Sequence, residues 1–274
     1  MTTISEHSLR FGDHTTAFLE AGPSDGPLIV FVHGWPELSL SWRHQLPAFA
    51  ERGFRVVAPD MRGYGRSTVY PKTHDYAQRL IVDDLIELVD ALDCERAIWV
   101  GHDWGSPGVW NVASHHPERC HAVASLCVPY RTLEFGYEAC LPLLDRDVYP
   151  ADTFPLGQWE YQGYYEESFE RATAVMDAHP YNMVKALFRK GRPEGAGKPA
   201  GTAFVRIQNG WFQGADEPPD VPADTDVISL SELQQYAEAL ETNGFFGPNA
   251  FYMNHAANAR YAAEAVNDGR LDMP

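Results

Sequence analysis

The first half of the chain alternates short apolar runs with an amphipathic segment. The apolar runs are bounded by glycine, proline and aspartate, and they cover 15–20, 27–32, 54–59 and 96–100. Continuous apolar runs of this length suit the interior strands of a parallel sheet that is covered on both faces. Between the last two runs, apolar residues recur at the three–four spacing of a helix, namely Leu80, Ile81, Leu85, Leu88 and Leu92. Alternating strands and helices therefore predict an α/β layered fold with a mostly parallel sheet.

The pattern changes after Pro129 and Tyr130. Residues 131–271 are rich in tyrosine, phenylalanine, tryptophan, glutamate and alanine, and they contain no convincing series of strands. Helical stretches are predicted near 164–190, 229–242 and 252–267. We therefore predict an α/β core over 1–130 and a largely helical second domain over 131–271.

Composition excludes several classes of function. With 274 residues, of which 45% are hydrophobic, the chain can bury a sizeable core. A formal net charge of −17 disfavours binding to nucleic acid or to an anionic membrane surface. The four cysteines form no Cys-x-x-Cys pair and no zinc-like set with histidine, so neither a metal nor a cofactor is expected. We expect a cytoplasmic protein without a membrane span, because the N-terminus lacks an apolar signal region and no apolar run is long enough.

The string Gly101-His102-Asp103-Trp104-Gly105 joins an apolar run to a helix-like segment. The two glycines permit a crowded turn from strand to helix, and an anion is favoured near a helix N-terminus. A carboxylate that attacks saturated carbon leaves an ester, which water can hydrolyse, whereas an attacking serine would leave an ether. With a reference pKa of about 3.9, an aspartate is ionised at neutral pH without help. Asp103 is therefore the predicted nucleophile, and His102 is interpreted as structural.

A second motif, His33-Gly34-Trp35-Pro36, comes directly after an apolar run. The two motifs resemble those of α/β-hydrolases, in which the oxyanion hole is made by the backbone N–H after the nucleophile and by one from this loop. The predicted donors are Trp104 and Trp35. Pro36 disfavours α geometry at Trp35, which helps to aim its amide. His33, Gly34 and Pro36 are interpreted as structural parts of the motif.

The residues of 31–68, together with those of 101–110, resemble the soluble epoxide hydrolases of the α/β-hydrolase superfamily. The likeness covers the core to about residue 130 and, more weakly, the region beyond it. It implies an α/β-hydrolase core in which the helical domain over 131–271 is a cap above the nucleophile. It also implies that two cap tyrosines hydrogen-bond the epoxide oxygen.

The motif contexts of that family place the two cap tyrosines. An aromatic-acid-Tyr-Gln context matches 159–162 and gives Tyr161, and a Tyr-x-Asn context after an aromatic residue gives Tyr252. A neutral phenol with a pKa near 10 can donate a hydrogen bond or a proton to the alkoxide that epoxide opening leaves. Trp35, Trp104 and Trp159 are the residues expected to line the substrate site.

The resemblance also implies a histidine base and an orienting carboxylate, and neither can be assigned. Both are expected after the cap, and residues 126–130, the other position used in the superfamily, contain no carboxylate. We interpret the 274 residues as the front core and cap of a longer enzyme. The strand at about 121–127 would then lack a neighbour along one edge. His255 follows Tyr252 closely, and we assign it to the cap side, away from the ester of Asp103.

The predicted function is cofactor-independent hydrolysis of a small-molecule epoxide to a vicinal diol, with water as the second substrate. Two alternatives remain open. A haloalkane or haloacid dehalogenase uses the same aspartyl ester but needs halide-binding donors instead of phenols. A non-catalytic binding protein of the same fold would fit the missing histidine. The oligomeric state does not follow from the sequence.

Overall fold

The computed structural model describes residues 3–191 and 193–274. The chain divides into two compact units, of which the first comprises residues 1–136 and 254–274 and the second residues 137–253. The predicted boundaries differ from this division, because 254–274 was expected to belong largely to the cap. Two hydrogen bonds hold this segment in the first unit: Gln78 N donates to Asn258 Oδ1, and Asn254 Nδ2 donates to the Thr73 carbonyl.

Six strands form one sheet in the first unit, in the order β1-β2-β4-β3-β5-β6. The strands are β1 (Ser5–Phe11), β2 (His14–Ala21), β3 (Leu28–Val32), β4 (Arg55–Pro59), β5 (Ala97–His102) and β6 (Cys120–Leu126). β2 pairs antiparallel with β1 and β4, and the other three pairings are parallel. The predicted α/β class with a mostly parallel sheet is confirmed. β1 was not predicted, because its mostly exposed side chains form no apolar run.

Eight α-helices occur among the described residues. They are α1 (Gln45–Ala50), α2 (Gln78–Ala91), α3 (Gly105–His115), α4 (Glu160–Asp177), α5 (Pro180–Leu187), α6 (Leu230–Asn243), α7 (Phe246–Ala250) and α8 (His255–Ala263). The first three and α8 belong to the first unit, and α4 to α7 belong to the second. No helix in the described part of the chain has the length and apolar character that a membrane crossing requires.

The core of the first unit holds the strand ends that carry the site. All five residues of β3 are buried, and Phe31 packs with Trp42 and Leu46 on one side of the sheet. The apolar stripe of α2 is buried through Ile81, Val82, Leu85, Leu88 and Val89. Because β3 and β5 are parallel neighbours, their carboxyl ends bring the two predicted motifs to the same edge of the sheet.

β6 is the last strand of the sheet, and the expectation that its free edge lacks a backbone partner is wrong at one position. The N–H of Val123 donates to the carbonyl oxygen of Pro274 at 3.0 Å. The C-terminal residues of the chain therefore lie against the outer edge of β6.

The second unit is helical, with no strand among its described residues. α4 is bent at Ser168, whose φ of −143° and ψ of 40° are not helical. α6 begins with a capping box in which the Ser229 and Glu232 side chains each contact the backbone N–H of the other residue. Tyr252 lies in a short 3₁₀ turn after α7 and is buried.

Candidate active site

Asp103 lies on a tight turn between β5 and α3, and its backbone adopts a positive φ of 48°. Such a conformation is uncommon for a residue with a side chain, and it persists only where the surrounding structure enforces it. Here the turn is closely packed against the neighbouring backbone. A Cβ atom on Gly105 would overlap the carbonyl oxygens of Val32 and His33, and one on Gly101 would lie 2.7 Å from the Cα of Ser106. Glycine at both positions lets the turn form.

We expect Gly105→Ala to lower the free energy of unfolding by about 3 kcal/mol, because the added methyl meets backbone atoms that cannot rotate away. Gly108→Ala in the same helix is the matched control, since its Cβ would find its nearest neighbour at 3.6 Å, an ordinary contact. Alanine there is expected to raise helix stability by up to about 1 kcal/mol. Urea unfolding of the three proteins measures both changes. Equal stability of the two variants would contradict the crowded turn.

The Asp103 carboxylate is buried and accepts hydrogen bonds from both predicted oxyanion donors. The Trp35 amide lies 2.8 Å from Oδ1, and the Trp104 amide also donates to the carboxylate. Burial and the charge of Glu37 raise the pKa of Asp103 above its ordinary value, while the two amides and the charge of His102 act in the opposite direction. The sequence suggested an aspartate with an ordinary pKa, and the structure instead gives Asp103 a raised one. Its surroundings supply donors that favour the anion.

The His-Gly loop approaches the nucleophile closely. A Cβ on Gly34 would lie 2.7 Å from Asp103 Oδ1, so only glycine leaves room for the carboxylate. His33 is fully buried, and its Nε2 accepts from the Met61 amide at 3.0 Å. Its Nδ1 therefore carries the proton and donates to the Gly34 carbonyl at 2.9 Å. Burial lowers the pKa of His33, so the ring is neutral and joins two loops. The bond between Trp35 and Pro36 is cis.

Sequence reasoning missed an ion pair beside the nucleophile. Glu37 Oε2 lies 3.0 Å from His102 Nδ1 and accepts the Gly34 amide at 3.2 Å. Hydrogen bonds to Cys127 and Glu37 raise the pKa of His102 to about 10. Burial raises the pKa of Glu37, but the hydrogen bond and charge of His102 outweigh it and leave a net lowering. His102, interpreted as structural from the sequence, is thus a cation next to Asp103.

The two predicted cap tyrosines lie together in the second unit. The Tyr161 and Tyr252 rings meet edge to face with centroids 5.6 Å apart. Tyr165 stacks on Tyr252 at 4.5 Å, and Trp211 contacts Tyr161 at 5.7 Å. Trp159, which was predicted to line the substrate site, has its ring centroid 6.5 Å from that of Tyr161. Sequence reasoning missed Tyr165 and Trp211 because neither belongs to a recognised motif. The one available signal is that Tyr165 follows Tyr161 by one helical turn.

His255 does not belong to the cap, and that prediction is wrong. It begins α8 in the first unit, where its ring lies 6.1 Å from that of Trp104. Burial lowers its pKa to about 4, so the ring is neutral at pH 7. Among the described residues, no group of three or more histidine, cysteine, aspartate or glutamate side chains could hold a metal ion.

Comparisons with known proteins place this geometry among characterised folds. Residues 27–216 match a family model described as alpha/beta hydrolase fold. The chain is 33% identical over 246 residues to epoxide hydrolase A of Mycobacterium tuberculosis, covering 90% of this chain and 72% of that protein. It is 32% identical to bifunctional epoxide hydrolase 2 of Rattus norvegicus, of which it spans 42%. The crystal structure of epoxide hydrolase A from Mycobacterium thermoresistibile matches with a TM-score of 0.74 at 32% identity, covering 94% of this chain and 76% of that one.

Proposed function

The chain belongs to the epoxide hydrolases of the α/β-hydrolase fold, and we propose that Asp103 is the nucleophile with which it opens an epoxide. The carboxylate attacks one carbon of the ring, the C–O bond to that carbon breaks, and the electron pair stays on the oxygen. Protonation of that oxygen gives the hydroxyl of a hydroxyalkyl ester of Asp103. Hydrolysis of the ester by water releases the vicinal diol and restores the carboxylate.

The observation that carries this proposal is the position of the Asp103 carboxylate at two backbone amides. The amides of Trp35 and Trp104 hold the carboxylate before reaction. After alkylation they are placed to donate to the ester carbonyl, and more strongly to the oxyanion that water attack creates. One such donor stabilises a transition state by about 2.7 to 4 kcal/mol. Because the donors are backbone groups fixed by the turn, they need no rearrangement during the reaction.

The charged pair of Glu37 and His102 has a role in the same proposal. The imidazolium lies next to the nucleophile in the chain, and its charge lowers the pKa of Asp103 against the effect of burial. Glu37 in turn holds the His102 proton at Nδ1. The imidazolium therefore favours the anionic state of Asp103, which is the state that can attack carbon, while the Glu37 carboxylate raises the pKa of Asp103.

Tyr161 and Tyr252 are the proposed donors to the epoxide oxygen. Two phenols whose rings meet at 5.6 Å can share one developing alkoxide, and the ring of Trp211 packs against that of Tyr161. Trp35, Trp104 and Trp159 are proposed to contact the apolar part of the substrate. A halide leaving group needs no proton, so a pair of phenols favours the epoxide over the haloalkane.

Intact mass spectrometry tests the function directly. The protein is mixed with styrene oxide in one sample and with 2-phenylethyl bromide in another, and peptide mapping locates any adduct. We expect an ester on Asp103 with styrene oxide only, together with phenylethanediol in the medium. Bromide release with an Asp103 ester would support the dehalogenase instead, and no adduct with either probe would support a non-catalytic binding protein.

A further inference from the structure

Gln162 follows Tyr161 directly on α4, and its side chain is fully buried. Its Nε2 donates to the Tyr161 hydroxyl oxygen at 3.0 Å. Adjacent residues on a helix point about 100° apart and do not normally face each other. The Gln162 side chain must therefore fold back along the helix to reach its neighbour, which makes this hydrogen bond a specific feature of the fold.

The orientation of the Gln162 amide decides which partner donates. Gln162 Oε1 is buried and has no hydrogen-bond partner among the described residues. Rotating the amide by 180° would point Oε1 at Tyr161 and leave an NH₂ group with two donors in that unpaired position. The structure has the other orientation, in which one N–H is used by the Tyr161 oxygen, so Gln162 is the donor of this pair.

From this geometry we propose that Gln162 is a positioning residue that makes Tyr161 a better hydrogen-bond donor to the epoxide oxygen. This role rests on the proposed function of Tyr161. Because the amide N–H occupies a lone pair of the phenol oxygen, the phenol proton is not used in the bond to Gln162. That proton can then be donated to a different acceptor.

The same hydrogen bond helps when the ring opens. As Tyr161 gives up its proton to the alkoxide, negative charge grows on the phenol oxygen. A donor already placed on that oxygen stabilises the charge, and hydrogen bonds to charged groups are about twice as strong as those between neutral groups. The rings of Tyr165, Trp211 and Tyr252 contact that of Tyr161, and the Gln162 side chain that supplies the amide is fully buried.

The test is a double-mutant cycle on the single-turnover rate of Asp103 ester formation with styrene oxide. Gln162→Met keeps the length of the side chain and removes the donor, and we expect the rate to fall at least about tenfold. In a Tyr161→Phe background there is no phenol oxygen, so Gln162→Met should change the rate less than about twofold. The dissociation constant for styrene oxide should stay within about twofold in all four proteins, because the bond acts on the opening step.

The control is Thr173→Val on the same helix, which removes a buried hydrogen bond from Asn249 at 3.1 Å. It should lower the melting temperature and leave the ester-forming rate within about twofold. If the Met variant does not fold, Gln162→Leu is a smaller apolar replacement that also lacks a donor, and it should show the same loss.

The outcomes separate this role from the proposed function. A similar loss from Gln162→Met in both backgrounds would overturn the positioning role, since packing alone would explain it. An unchanged rate in Gln162→Met, with a slow Tyr161→Phe, would overturn it too while leaving Tyr161 in place. If Tyr161→Phe itself reacts at the normal rate, the proposed function of Tyr161 fails.

Discussion

Replacing Asp103 by asparagine should abolish covalent labelling by styrene oxide and the formation of phenylethanediol. The introduced carboxamide keeps the size of the side chain and can still accept the Trp35 amide through its oxygen. It lacks the anionic oxygen that attacks carbon, and no other step of the reaction can start without it. Removing the nucleophile of a hydrolase costs on the order of 10⁴ to 10⁶ in rate, so we expect no detectable adduct in a single-turnover experiment.

Asp60→Asn is the matched control for this prediction. Asp60 is also buried in the first unit, and its carboxylate also accepts two backbone amides, from Ser39 at 2.8 Å and from Arg66 at 3.4 Å. Both isosteric changes remove one negative charge, but only one removes the proposed nucleophile. We expect Asp60→Asn to be labelled on Asp103 at a rate within about tenfold of the unmodified protein. Normal turnover by Asp103→Asn or Asp103→Ala would refute the assignment of the nucleophile.

The features that the sequence predicted are local in the chain. The strands β2 to β5 and the turn around Asp103 depend on runs of neighbouring residues and on glycines that the turn requires. For the same reason α2 could be predicted from its leucine spacing. In each case a short segment of sequence is enough to predict the element, so no knowledge of distant contacts is needed.

The features that the sequence did not predict depend on long-range contacts. Glu37 and His102 are 65 residues apart in the chain, and nothing in either local pattern indicates that they pair. α8 resembles the cap helices in composition, yet it packs in the first unit through hydrogen bonds across 180 residues. Even the state of Asp103 required the structure, because its burial and its two amide donors shift the pKa in opposite directions.

Removing both cap phenols should slow ester formation far more than removing one. In Tyr161→Phe or Tyr252→Phe the remaining phenol can still donate, so we expect a loss of about 1 to 3 kcal/mol, or roughly 5-fold to 150-fold. In the double variant the alkoxide has no phenol donor. If the two contributions add, the loss is about 2 to 6 kcal/mol, which is roughly 30-fold or more. Rapid-quench measurement of the Asp103 ester with styrene oxide gives the three rates.

Tyr165→Phe is the control that distinguishes hydroxyl chemistry from aromatic packing. Tyr165 stacks on Tyr252 with centroids 4.5 Å apart, and its hydroxyl faces the Met176 sulfur at 3.9 Å. Losing that hydroxyl keeps the ring stack and removes a weak hydrogen bond to sulfur, so the rate of ester formation should stay within about threefold. An unchanged rate in the double Tyr161→Phe, Tyr252→Phe variant would show that the epoxide oxygen is activated elsewhere. A rate that falls equally in Tyr165→Phe would show that the loss is not specific to the hydroxyls of Tyr161 and Tyr252, because all three changes remove a hydroxyl and leave the ring.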